Sequence, residues 1–358
     1  MRHLTRRHLI SRAAALSAAP TLALAQSLEG EGDPNQAQAA PEIRALWSVA
    51  SGTGREYQVG LGYFLEAGTR QSIPGLILAL RYSEQPTDLL NEVLRKLAGV
   101  SPSSAPSDWF GWMVWQQQAT DLTPNAAYAP FKRALLLSID PNFETFLQPQ
   151  FLQPAAMRIR LEEVTWGGVA MDGLVPLDSP RMVPAREAEY LGTDDLVFGV
   201  SIQGDTRAYP LRILGWHEML NDLVGGLPVA LTYCPLCGAG QLYQSGANAE
   251  RRFVFGSSGL LHRSNKLMFD RQTYSLWSQF AGTPVMGPLG LANIQLPRLP
   301  MVTSRWGDWR AANPETSVLS IETGSLRAYG AGAAYRGYDS SPDLMFPAAV
   351  QDPSLPAK

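Results

Sequence analysis

Few side chains in this sequence can carry redox, metal or nucleophilic chemistry: there are two cysteines and four histidines in 358 residues. Two cysteines are too few for a disulfide framework. There is no phosphate-cradling G-x-x-x-x-G-K-[ST], no dinucleotide fingerprint and no H-E-x-x-H, so those nucleotide and metalloprotease readings have no support. Gly256-Ser257-Ser258-Gly259 is not a G-x-S-x-G elbow, and a serine triad would have to recruit one of very few histidines. Serine hydrolysis is therefore set aside.

The N-terminus supplies the compartment. Thr5-Arg6-Arg7-His8-Leu9-Ile10 is a twin-arginine signature, followed by an alanine- and leucine-rich stretch and the A-x-A site Ala23-Leu24-Ala25. That stretch is broken by Ser17 and Pro20 and is too short to span a bilayer. The expectation is a cleaved signal over 1–25 and a periplasmic or otherwise exported product, with no membrane span after cleavage. Cleavage takes four of the 29 basic residues and none of the 32 acidic ones, leaving 25 against 32, a net charge of −7. Nucleic acid and anionic membranes are poor partners for such a chain. Cleavage also removes His3 and His8, so the remaining Cys and His side chains are His217, Cys234, Cys237 and His262, a cluster consistent with one shared site.

The chain then changes character twice. Residues 26–40 have no hydrophobic period and read as a linker. From 41 to 150 the pattern is helical: Thr87 to Gly99 has apolar residues at helical spacing with a capping residue before and a glycine after, and Ile73 to Tyr82 carries Pro74 in its first turn. Pro130 to Leu137 reads as a further helix, and the whole as a HEAT-like array suited to packing or to binding a protein partner. Trp109, Trp112 and Trp115 fall at three-residue spacing, which is read as core in preference to a sugar-stacking platform. From 151 to 358 the pattern is β-rich. Arg158 to Trp166 alternates as a strand, Leu196 to Ile202 and Thr206 to Leu211 flank a turn at Gln203-Gly204-Asp205, and Arg252 to Gly256 reads as a strand followed by a Ser257-Ser258-Gly259 turn. Ile213 to Leu223 reads as a short helix ending near Gly225-Gly226. The predicted fold is α+β, an N-terminal helical array followed by a mostly antiparallel β-rich domain with short helices.

The β-rich part carries Thr232-Tyr233-Cys234-Pro235-Leu236-Cys237-Gly238 at the end of an apolar run. A C-x-x-C turn brings together two soft sulfur ligands or two thiols able to close on each other. In the leading reading Cys234 and Cys237 bind Zn or Cu, with His217 as third ligand and His262, Glu218 or Asp270 as fourth; Met219 or Met268 is a possible thioether for copper. In the second, Cys234 and Cys237 are the catalytic pair of a dithiol–disulfide redox protein, Cys234 attacking, Cys237 resolving and His217 helping to hold the thiolate. Gly240-Gln241-Leu242-Tyr243 reads as a strand, unlike the thioredoxin arrangement in which a helix follows the motif. In the third, the protein is a non-enzymatic exported binding or scaffold protein with the cysteines as a staple, although a loop this short stabilises little. Plainer readings stand beside these: inert buried thiols, a packed or capping His217, a solvated His262, and Asp270-Arg271 as a local turn or ion pair.

The same motif, with Phe255-Gly256-Ser257-Ser258-Gly259, Phe269-Asp270-Arg271-Gln272-Thr273, Leu276-Trp277-Ser278-Gln279, Arg207-Ala208-Tyr209-Pro210 and Trp216-His217-Glu218, resembles the bacterial and archaeal family called domain of unknown function 3179. The resemblance runs from about 160 to 347. It implies no particular reaction, because the family has none assigned.

Overall fold

The computed structural model describes residues 34–101, 103, 105–338, 341, 344–349 and 354. The twin-arginine signature, the cleavage site and residues 26–33 of the expected linker lie outside them. Of the described residues, 34–144, 161–163 and 347–349 form one unit, and 145–160, 164–346 and 354 form a second.

The first unit is helical, with helices Pro34–Ser51, Arg55–Ala67, Ile73–Tyr82, Asp88–Ala98, Trp109–Gln118 and Tyr128–Ile139. The first begins seven residues before the expected boundary at 41. Alanine-rich sequence supports a helix without supplying an apolar stripe, so hydrophobic period misses it. Asp88–Ala98 behaves as its spacing predicts: Leu90, Val93 and Leu94 are buried, and Gly99 closes it at φ 67°, its N–H donating to Arg95 O at 3.0 Å. Trp112 is fully buried, and its indole N–H donates to Asn91 Oδ1 at 2.8 Å. Trp109 is buried as well and Trp115, half-buried, packs edge-on against Trp112, so the stripe is core at two of its three positions.

The second unit holds three sheets. One has the strand order Val164–Trp166, Phe255–His262, Asn265–Asp270, Leu276–Ser278, Pro284–Met286. Another runs Val302–Arg305, Leu196–Ile202, Asp205–Pro210, Ser317–Leu319, Met182–Pro184, and the third Leu177–Asp178, Met219–Val224, Leu227–Cys234, Ala239–Gln244. All pairings are antiparallel except Ser317–Leu319 on Asp205–Pro210 and Leu177–Asp178 on Met219–Val224. Helices Leu211–His217 and Trp306–Ala312 complete the unit. The α+β architecture, helical part first, is thus the one predicted.

Three local expectations change. The helix expected from Ile213 to Leu223 stops at His217, because Glu218 takes a left-handed φ of 56° and Met219–Val224 pairs as a strand with Leu227–Cys234. Gly225 and Gly226, at φ 55° and 80°, are the two-residue turn of that hairpin and not a helix end. Ser257-Ser258-Gly259 lies inside the strand Phe255–His262, and only 164–166 of the 158–166 stretch is strand.

Several motif residues are explained by this framework. Arg207 and Tyr209 both donate to the buried Asp222, at 2.6 and 2.8 Å. Asp270, fully buried, accepts from Thr273 N–H (2.6 Å), the Thr273 hydroxyl (2.8 Å) and the Trp277 indole (2.8 Å), while Arg271 pairs with Asp172 at 2.9 Å. Asp270 therefore organises a turn, with its carboxylate committed to that task.

Candidate functional site

Leu227–Cys234 is an interior strand of the third sheet and carries its chain straight into the motif. Tyr233 packs edge-on against Phe198, their ring centroids 5.5 Å apart, which fixes the strand end. A single 3-10 turn, Pro235–Cys237, follows, and Gly238 at φ 59° lets the chain reverse into Ala239–Gln244. The element after the motif is a strand, as predicted, so no helix N-terminus is available to stabilise a thiolate.

The turn places Cys234 Sγ 3.0 Å from Cys237 Sγ, within hydrogen-bonding reach and well beyond the roughly 2.05 Å of a disulfide bond. The two thiols differ in environment: Cys234 is 1 % exposed, whereas Cys237 is exposed. The hydrogen bond from Cys234 lowers the Cys237 thiol below its ordinary value, with help from Asn265, against opposing burial and the negative charge of Glu218. The same bond, burial, and the charges of Cys237 and Glu218 push Cys234 the other way, well up.

Cys237 has a supporting shell drawn from distant segments. Asn265 Nδ2 donates to its sulfur at 3.4 Å and also to Gln279 Oε1 at 2.6 Å. Gln279, fully buried, is anchored by donating to Ala239 O at 3.1 Å and Thr232 O at 3.4 Å. Ser264 O lies 3.6 Å from the same sulfur. Arg263 and Ser264, the turn between His262 and Asn265, both sit at positive φ, 46° and 72°. Two non-glycine residues in that region, with Glu218 a third nearby in sequence to the motif's partner strand, mark backbone strain stored around the thiols.

Beside Cys234 lies a buried ion pair. Lys266 Nζ is 3.2 Å from Glu218 Oε2, with both side chains largely buried, and Tyr335 Oη donates to Glu218 Oε1 at 2.6 Å. Tyr338 Oη donates to Leu236 O at 2.9 Å. The segment Tyr329 to Tyr338 is thus a strap tied to the motif by tyrosines.

Of the four residues singled out from sequence, the structure brings together two. His217 is buried and takes part in a different network: Nδ1 donates to Val175 O at 2.6 Å, which leaves Nε2 to accept from Tyr329 Oη at 2.6 Å, with Tyr329 in turn 2.5 Å from the Thr323 hydroxyl. His262 ends the strand Phe255–His262, opposite Val164 and Asn265. Among the described residues no three His, Cys, Asp or Glu side chains converge as a ligand set. Asn265, Gln279, Lys266 and Tyr335 were invisible to the sequence reading. Burial of a lone polar residue in a strand leaves no local signature, although Gln279 does fall in a motif that carried the family resemblance.

Burial lowers the His217 pKa below its ordinary 6.5, against the opposing Val175 hydrogen bond and with the Arg327 charge adding to it. The unfolded chain therefore takes up this proton first as pH falls. Stability from the neutral ring is complete above about 6.5 and declines below it. In urea unfolding, wild type should lose midpoint between pH 7.5 and 5.5, and His217→Asn, less stable overall, should lose less; equal pH slopes would show that His217 is not the titrating group.

The site and fold define a class: a two-unit α+β protein whose β-rich unit presents one buried and one exposed cysteine, at hydrogen-bonding distance, in a C-x-x-C turn. More particularly, the chain belongs to the family described as "Protein of unknown function (DUF3179)", whose model matches residues 171–358. No curated protein and no solved structure matches the chain.

Proposed function

We propose that the β-rich unit is a thiol–disulfide exchange module in which Cys237 attacks and Cys234 resolves. The observation that carries this is the asymmetric pair itself: two sulfurs 3.0 Å apart, the exposed one favoured as thiolate and the buried one as thiol. The nucleophile of exchange is an accessible thiolate, and the roles assigned from sequence order are therefore exchanged here. The twin-arginine signature supports an oxidising exported compartment, where such a pair has disulfide partners.

Zinc or copper at the same turn receives less support from the donor set. Cys234 and Cys237 supply two sulfur ligands, but both ring nitrogens of His217 are engaged elsewhere and Asp270 is committed to the turn at Thr273 and to the Trp277 indole. A tetrahedral site needs four ligands, or three and an open position. Elemental analysis of the full chain purified without chelator, paired with a thiol titration before and after mild reduction, distinguishes the two. The exchange reading expects metal far below one equivalent and two thiols that form and release a disulfide reversibly. About one Zn or Cu per chain, lost in Cys234→Ser, would overturn it in favour of a metal centre.

A further inference from the structure

Resolution by Cys234 raises a proton problem. The thiol must lose its proton before it can attack, yet at 1 % exposure it has no ready acceptor in bulk water. Glu218 is placed to meet that need. Strand pairing sets Met219 opposite Thr232, and the Tyr233 N–H donates to Glu218 O at 2.8 Å, so the residue lies alongside the end of the strand that delivers Cys234. Its charge acts on both sulfurs.

The surroundings hold that carboxylate in place. Glu218 is 6 % exposed and Lys266 3 %, and their 3.2 Å ion pair is supplemented by a Lys266 Nζ bond to the Glu218 carbonyl, also 3.2 Å. Tyr335 Oη occupies the other carboxylate oxygen at 2.6 Å. Lys266 links the two groups: its ammonium pairs with the Glu218 carboxylate, and its backbone N–H opposes the rise of the Cys234 thiol. Glu218 does this from a left-handed φ of 56°, a conformation that glycine or asparagine would adopt more cheaply. Among the described residues, the ionisable groups that bond to Glu218 or feel its charge include Cys234, Cys237, Lys266 and Tyr335.

We propose that Glu218 is the proton acceptor for Cys234 in the resolving step of the exchange reaction, with Lys266 and Tyr335 as positioning residues that hold its carboxylate; the proposal rests on the exchange reading above. In the first step the Cys237 thiolate attacks a disulfide R–S–S–R′. A bond forms between Cys237 and one sulfur, the R–S–S–R′ bond breaks, and R′S⁻ leaves and takes a proton from solvent. In the second, the Cys234 proton passes to Glu218, the resulting thiolate attacks Cys237, the Cys234–Cys237 bond forms, and RS⁻ leaves. Glu218 then returns the proton to solvent or to RS⁻. One dithiol is oxidised, one disulfide is reduced to two thiols, and Glu218 ends as it began.

The test is stopped-flow reaction of the reduced full-length chain with an aromatic disulfide whose released thiolate is coloured. Attack by Cys237 releases one equivalent and resolution by Cys234 a second. In wild type the second phase should be level in rate from about pH 6.5 to 8.5, because transfer to an internal carboxylate leaves the net protonation of the reacting species unchanged; a rate rising about tenfold per pH unit would mean solvent is the acceptor and would overturn the proposal. Glu218→Gln should slow the second phase by about tenfold or more at pH 7 and make it rise with pH, while the first phase becomes faster at pH 6 because a negative charge beside Cys237 is gone. Tyr335→Phe keeps the carboxylate and should slow the second phase by a smaller factor. A second phase in Glu218→Gln that matches wild type in rate and pH profile would remove Glu218 from the mechanism. A wild-type chain that releases fewer than two equivalents would instead defeat the exchange reading itself. The wild-type pH profile needs no variant, so misfolding of Glu218→Gln would leave the proposal exposed to refutation.

Discussion

Cys237→Ser should lose its reaction with a small disulfide almost entirely, by on the order of a thousandfold or more, because the exposed thiol of the pair is gone and a serine hydroxyl is no substitute nucleophile at neutral pH. Cys234→Ser should behave differently. Attack at Cys237 continues, but nothing resolves the adduct, so a stable mixed disulfide accumulates on Cys237. Intact-mass analysis followed by peptide mapping after mixing each variant with oxidised glutathione reads both outcomes. An adduct on Cys234 in the Cys237→Ser chain, formed as fast as in wild type, would reverse the two roles. The prediction draws on exposure and on the shared hydrogen bond together, since the side chain at 234 is the largest influence lowering the Cys237 thiol and the hydroxyl of Cys234→Ser can still donate to it. The trapped adduct should therefore form at a rate close to that of the first phase in wild type.

Lys266→Met carries the second large effect, on stability. Lys266 and Glu218 are buried partners, and removing one leaves an ionised carboxylate in a site closed to water, a change that typically costs about 3–5 kcal/mol. The substitution also removes the donor to the Glu218 carbonyl at 3.2 Å. Denaturant unfolding of wild type, Lys266→Met, Glu218→Gln and the double variant forms a cycle. The double variant should recover part of the loss, because a neutral amide beside a thioether has far less to desolvate than an unpaired charge. If Lys266→Met unfolds within about 1 kcal/mol of wild type, the pair is not the buried contact described here.

Much of the fold could be read from local pattern. Asp88–Ala98 announces itself by Leu90, Val93 and Leu94 on one face and Gly99 at its end, and the hairpin at Gln203-Gly204 by the turn residues between two apolar runs. The motif turn was legible for the same reason: cysteines three apart are brought together by a single turn, whatever the rest of the chain does. What could not be read depends on residues far apart in sequence. Met219–Val224 is buried on both faces, so it lacks the alternation that separates a strand from a helix, and the left-handed Glu218 that ends the preceding helix is not a residue type that signals a stop. Gly259 at φ 76° looks like a turn but is accommodated within a strand. Asn265 and Gln279 reach Cys237 only through the pairing of separate strands, and His217, adjacent in sequence to the site's Glu218, turns its ring to Val175 and Tyr329 instead.

The strap and the hairpin it covers have unequal claims on folding time. The Met219–Val224/Leu227–Cys234 hairpin closes over a two-residue turn, and the motif turn is more local still, whereas Tyr335 meets Glu218 across 117 positions of chain. Loop-closure entropy makes the first contacts early and the last one late. During folding the thiols should therefore meet while the carboxylate beside them is still uncapped. An oxidant that encounters the nascent β unit would find the pair already assembled and unguarded, and the completed strap would then cap Glu218 while Cys237 stays open to exchange.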